Sequence, residues 1–117
     1  MDCQLVYAIK FVSDMARSVG FYRDTLGLTL KFESPEWSEF STGTVTLALH
    51  RASDENPAGM IRLGFQTSDI ESTTQDLTRQ GVQIVRPPRE EFGVMLAEFL
   101  DLEGSRCSLS GPVPGGS

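Results

Sequence analysis

His50 is the only histidine of the chain and ends the run VTLALH. An imidazole there can act as a general base, serve as a lone metal ligand, or simply hydrogen-bond at a strand end. Arg62 stands seven residues before Asp69, and Tyr7 stands seven before Asp14. A guanidinium at such a place can grip a carboxylate or phosphate bidentately, or pair with a glutamate of its own chain. Glu39 and Glu98 sit in the matching triplets SEF and AEF. Two carboxylates of this kind can receive a cationic ligand or divide acid and base roles, and solvated strand residues are the plain alternative. His50 and Glu98 are thus the catalytic candidates, while Tyr7, Phe11, Trp37, Glu39, His50, Arg62, Gln66, Glu98 and Ser108 form the candidate ligand-binding set.

These side chains need strands to hold them, and the sequence supplies the strands twice. LVYAIKFV, residues 5–12, is β-branched and aromatic, and Ser13 and Asp14 then offer oxygens to the free amides of a helix start. Met15, Val19, Tyr22 and Leu26 mark one apolar helix face, with Gly27 placed for a left-handed cap. MIRLGFQT, Ser68–Asp69, Ile70 and Leu77, and Gly81 repeat that grammar, although Thr73 and Thr74 occupy positions where bulkier residues would pack better. The strands LTLKFE, SEF and VTLALH after the first helix are echoed by VQIVRP, AEF and RCSLS after the second. The predicted fold class is α+β, a tandem pair of βαβββ modules in a single domain spanning 1–117. Module one covers about 4–52, a polar linker about 53–58, module two about 59–110, and a tail at 111–117 is too poor in apolar groups to offset its ordering entropy.

Strand alternation assigns faces. Val45, Leu47 and Leu49 should meet the helix, leaving Thr46, Ala48 and His50 opposite; Cys107 and Leu109 go inward, leaving Arg106 and Ser108 opposite. Leu63 and Phe65 alternate with Arg62, Gly64 and Gln66. Tyr7 goes to the ligand side by its equivalence with Arg62. Phe11, Phe40, Phe92 and Phe99 read first as core, and Trp37 also as a stacking wall.

Composition sets limits. With 117 residues the chain can bury a core of its own, so Cys3 and Cys107 are expected as thiols rather than a disulfide. A net charge of −6 without a Lys/Arg cluster argues against nucleic acid and, if anything, favours a cationic ligand. No apolar run reaches the roughly 18 residues of a membrane span. The opening MDCQLVY lacks the basic and hydrophobic regions of a secretory leader, and the expected location is cytoplasmic.

The stretches FVSDMARSVGFYRDTLGL, FQTSDI and FLDLEGSRCSL, in this order, resemble the vicinal oxygen chelate superfamily of glyoxalase I, bleomycin resistance proteins, extradiol dioxygenases and fosfomycin resistance enzymes. The resemblance covers Leu5 to Leu109 and implies modules whose sheets curl into a ligand cleft, commonly completed in a homodimer. It also implies a divalent ion held by histidines at the positions of Tyr7 and Arg62 and by acids on the two final strands. Here those strands offer Ser108 and, at or near Ala48, only His50. A permanent guanidinium in a ligand position opposes a cation, so the expectation is that the usual metal is lost and no cofactor is used. The resemblance then favours a non-enzymatic binder of a small aromatic or cationic compound, of the antibiotic-resistance type. The alternatives are a divergent lyase, isomerase or dioxygenase-like enzyme using His50 and the carboxylates, and a structural or regulatory dimer.

Overall fold

A computed structural model describes residues 1–115. In chain order the elements are β1 (Gln4–Val12), α1 (Met15–Gly20), a π-helical turn (Phe21–Thr25), β2 (Thr29–Phe32), β3 (Trp37–Ser41), β4 (Thr46–Arg51), β5 (Ile61–Gln66), α2 (Ile70–Arg79), β6 (Ile84–Glu91), β7 (Val94–Leu100) and β8 (Arg106–Gly111). The chain divides into two compact units: Val6–Arg62, and Met1–Leu5 together with the residues from Leu63 on. Each has four strands in the same order, β2-β3-β4-β1 in the first and β6-β7-β8-β5 in the second. In each, the first and last strands pair in parallel and the others antiparallel. The duplicated βαβββ plan read from the sequence is the plan of the fold.

The helices start where the aspartates dictate. Asp14 and Asp69 are both extended, and each carboxylate accepts the backbone N–H three residues on, Arg17 and Ser72 respectively, at 3.1 Å. That bond satisfies one of the orphan donors of a first turn. Helix α1 is shorter than the apolar spacing predicts. After Gly20 the hydrogen bonds widen, Leu26 N–H reaching Phe21 O, and Gly27 at φ 76° turns the chain out. The wider turn rotates the last predicted face residue away from the core, and Leu26 is 55% exposed.

In the first unit Val12, Val19, Phe40 and Leu49 are buried between sheet and helix. The opposite face is packed as well: Ile9, Phe11 and Ala48 lie beneath Tyr7, Trp37, Ala52 and Met60. In the second unit Ile70, Met95, Ala97 and Leu109 form the helix-side core with Phe65 and Phe99. Thr73 and Thr74 are buried there at no polar cost, since Thr73 shares a hydrogen bond with Thr67 at 2.7 Å and Thr74 bonds back to Ile70 O at 2.9 Å. Two expected core residues lie outside. Leu63 is 40% exposed, and Phe92 is 95% exposed at φ 54° in a two-residue turn with Gly93. No disulfide joins the exposed Cys3 and the buried Cys107.

The chain does not fray at residue 111, where the tail was expected to begin. Gly111 is a buried residue of β8 and Val113 packs on the second core, while residues 116 and 117 lie outside the described residues. A Cβ at Gly111 would come within 2.7 Å of the Thr67 carbonyl oxygen. Gly111→Ala should therefore cost about 1–3 kcal/mol, read as a lower urea midpoint, whereas the exposed Pro112→Ala should stay within about 0.5 kcal/mol.

The second unit also holds the N-terminal residues. Asp2 accepts from Thr67 Oγ1 at 2.8 Å and from Ser68 N–H at 3.1 Å. Hydrogen bonds from Ser68, side chain first and backbone next, and from Thr67 lower its pKa from 3.8 to about 2. A carboxylate depressed on folding contributes stability above its ordinary value and loses it as pH falls through the folded one. Acidification from pH 3.8 to about 2 should lower the thermal midpoint of the native chain more than that of Asp2→Asn.

Candidate functional site

The candidate residues fall on the helix-opposite faces of the strands of each unit. In the first unit the strand register builds rows across β3, β4 and β1: Trp37, His50 and Phe11 form one, and Glu39, Ala48 and Ile9 the next. The rings close on one another. Trp37 meets Tyr7 edge-on at 5.9 Å and His50 edge-on at 5.8 Å, and His50 tilts against Phe11 at 5.0 Å. Such offset and T-shaped pairs are the geometries that ring quadrupoles favour. Small Ala48, fully buried, makes room for them, with Tyr7 and Trp37 packed against it.

Two charged groups flank the rings. Glu39 accepts the indole N–H of Trp37 at 2.8 Å and lies 4.0 Å from Lys31. Burial, and then the Glu39 charge, push the Tyr7 phenol above its ordinary range, so it stays protonated. Arg62 lays its guanidinium over the Phe11 ring, 5.3 Å from the centroid, and donates to Asn56 Oδ1 at 2.8 Å. An amide from the linker is thus among its partners, contributed by a residue that residue types and spacing had not singled out. Phe11 is only 2% exposed. It supports His50 and Arg62 from below and offers a ligand no surface of its own.

His50 has one nitrogen assigned by geometry. Its Nδ1 lies 2.8 Å from the Arg51 carbonyl oxygen, which can only accept, so Nδ1 carries a proton and in the neutral ring Nε2 holds the lone pair. The imidazole can therefore accept a proton or a ligand N–H at Nε2.

In the second unit Glu98 is not open to a cationic ligand. Arg106 Nη1 lies 3.1 Å from one of its oxygens and Arg86 Nη1 3.6 Å from the other. Ser108 pairs with Glu98 across the strands and is partly exposed, and Gln66 is exposed on β5. Alternation had placed Arg106 on this face, but neither it nor Arg86 was counted as functional. Arg86 was missed because β6 runs on through Pro87 and Pro88, with register shifts that hide its pairing.

Among the described residues no three of His, Cys, Asp and Glu come together as a metal site. The first unit carries surface grooves along its helix. One of about 440 Å³ is lined by Ser13, Met15, Ala16, Glu33, Ser34, Pro35 and Arg51. None of its lining residues belongs to the ring cluster. No helix among the described residues is long and apolar enough to cross a membrane.

Residues 4–109 match the family model of the Glyoxalase/Bleomycin resistance protein/Dioxygenase superfamily. The chain belongs to this superfamily. An uncharacterized protein of Mycolicibacterium smegmatis is 25% identical over 113 residues, 96% of this chain and 97% of that one. YraH of Bacillus subtilis is 29% identical over 107 residues, 77% of this chain and 84% of that one. Among solved structures, methylmalonyl-CoA epimerase from Mycobacterium tuberculosis superposes with TM-score 0.77 at 20% identity, covering 94% of this chain and 88% of its own. A superfamily member from Vibrio splendidus superposes with TM-score 0.70 at 16% identity, covering 94% and 99%. At these identities the likeness is one of fold, and the superfamily scaffold carries its chemistry in side chains.

Because the chain has a single histidine, its tautomer is directly measurable. Neutral His50 should show a protonated-type ¹⁵N shift at Nδ1 and an unprotonated one at Nε2. The reverse pattern would mean that the contact to Arg51 O is not a hydrogen bond.

Proposed function

We propose that this superfamily member is a small-molecule-binding protein that takes a planar aromatic compound against Tyr7, Trp37 and His50 without a metal ion. The observation that carries the reading is the ring cluster itself, three partly exposed rings in which Trp37 meets both Tyr7 and His50 edge-on, with Phe11 and Ala48 buried alongside. Rings held this way lose little conformational freedom on binding, and a flat ligand gains stacking area. The cationic half of the expectation finds less support. Glu39 already receives Trp37 and Lys31, and Glu98 two arginines.

The donor set does not suit a divalent ion. Where the family resemblance puts ligands, this chain presents a phenol kept protonated, a guanidinium, a serine, Ser108, and a fully buried alanine, Ala48. A permanent guanidinium charge at a ligand position opposes a divalent cation and cannot be titrated away. Bleomycin resistance proteins give the superfamily part of its name, and a binder without catalysis stands nearest to them in kind. Sequestration of a toxic aromatic compound is accordingly the biological role we propose.

A second reading rests on His50. With Nε2 unprotonated, the imidazole can remove a proton from a bound substrate. The fold is shared with an epimerase, so the scaffold accommodates catalysis.

Trp37 is the only tryptophan, which makes its emission a site-specific probe. Titration with a panel of fused-ring compounds should give saturable quenching by at least one of them. Tyr7→Ala should weaken that binding about tenfold or more, some 1.4 kcal/mol, and exposed Phe21→Ala should leave it unchanged. Added Zn²⁺, Ni²⁺ or Mn²⁺ should not shift the affinity. Absence of any saturable quenching, or an unaffected Tyr7 variant, would refute the reading. Chemical conversion of the bound compound, abolished by His50→Gln, would establish the second one in its place.

A further inference from the structure

We propose that the helix-opposite face of the second unit is an anion-binding site, built by Arg86 and Arg106 around Glu98, for a small ligand bearing a phosphate or carboxylate. The inference stands on residues of this unit alone and does not rest on the ring cluster. The strand register creates the arrangement. Arg86 on β6 pairs with Glu98 on β7, Glu98 pairs with Ser108 on β8, and Arg106 is two residues before Ser108, hence diagonal to Glu98 on the same face. The carboxylate is drawn in, with 12% of its side chain exposed, while the two arginines remain 53% and 47% exposed.

One carboxylate cannot neutralise two permanent cations. The face therefore carries a local positive excess in a chain whose net charge is −6. Each guanidinium reaches Glu98 through Nη1, a single nitrogen, although the group has five N–H donors in a fixed fork. Half-exposed heads held at one nitrogen keep further N–H donors, two of which can grip an oxyanion bidentately. The row continues to Ser108, a short hydroxyl donor, and to Gly64, which adds no side chain. Neighbouring Arg89 contrasts with the pair, since it has its own partner in Glu91.

The test uses the full-length chain at low ionic strength and two probes, inorganic pyrophosphate and succinate, followed by isothermal titration. Saturable binding of at least one probe is expected, with pyrophosphate alone pointing to a phosphate ligand and succinate alone to a carboxylate. Arg86→Gln and Arg106→Gln should each lower the affinity about tenfold or more, and Arg89→Gln and Lys31→Gln should leave it unchanged. Should Arg106→Gln fail to fold, Arg106→Lys keeps the charge beside Glu98 but loses the fork, and it too should weaken binding. The proposal is overturned if neither probe binds saturably. It is likewise overturned if the Arg86 and Arg106 variants bind as the native chain does, or if Arg89→Gln weakens binding as much as they do.

Discussion

At the end of each unit's first strand an aspartate carboxylate accepts the N–H three residues ahead, and much of the structure follows from that bond. It fixes where the helix begins and which stripe of side chains faces the sheet. That stripe, Val19 in one unit and Ile70 in the other, selects alternate residues of the strands as partners. Strand period leaves the intervening residues on the other face. Glu39 and Glu98 stand opposite the helices because Ser38 and Ala97, their small buried neighbours, stand beneath them.

The same topology has then been given two chemistries. The first unit buries residues on both faces of its sheet, and the helix-opposite face ends in rings that pack on Ala48 and Phe11. In the second unit the core of Ile70, Met95, Ala97 and Leu109 lies on the helix side, and the other face carries Arg86, Glu98 and Arg106. A face of rings is rigid through packing, whereas a face of long charged side chains depends on ion pairs for its order, and half-exposed pairs contribute little to stability. The second face has therefore less structural reason to keep its charges than the first has to keep its rings.

The sequence showed the caps, the alternation and the repeat because each rests on nearest-neighbour chemistry. Asp14 caps through a residue three away, and Gly27 and Gly81 end their helices at positive φ. What it hid depends on distant partners or on backbone geometry that no residue type announces. The widened turn after Gly20 moved Leu26 outward, although its spacing from Tyr22 fits an ordinary helix. Phe92 looks like core by composition, yet the hairpin between β6 and β7 puts it at the tip. Gly111 looked like the start of a loose tail, but the Thr67 carbonyl leaves space for nothing larger. Glu98 was visible as a candidate, while its two arginine partners lie on strands joined to it only by register.

Arg62 shows how the linker enters the site. Residues 53–58 read as a polar spacer, yet Asn56 is held in a tight turn by paired contacts with Ser53, and its amide oxygen takes the Arg62 guanidinium. Next to that turn, Gly59 N–H bonds to Phe11 O, Phe11 N–H bonds to Met60 O, and Lys10 Nζ reaches Gly59 O. The linker is thus laced to the end of β1, and the same lacing sets the Phe11 ring beneath the guanidinium. An arginine free to swing could vacate its place for a metal ion or another ligand group. One clamped between an aromatic face and an amide oxygen keeps its charge where it is, so the cationic character of this corner is built into the backbone hydrogen bonds of the first unit.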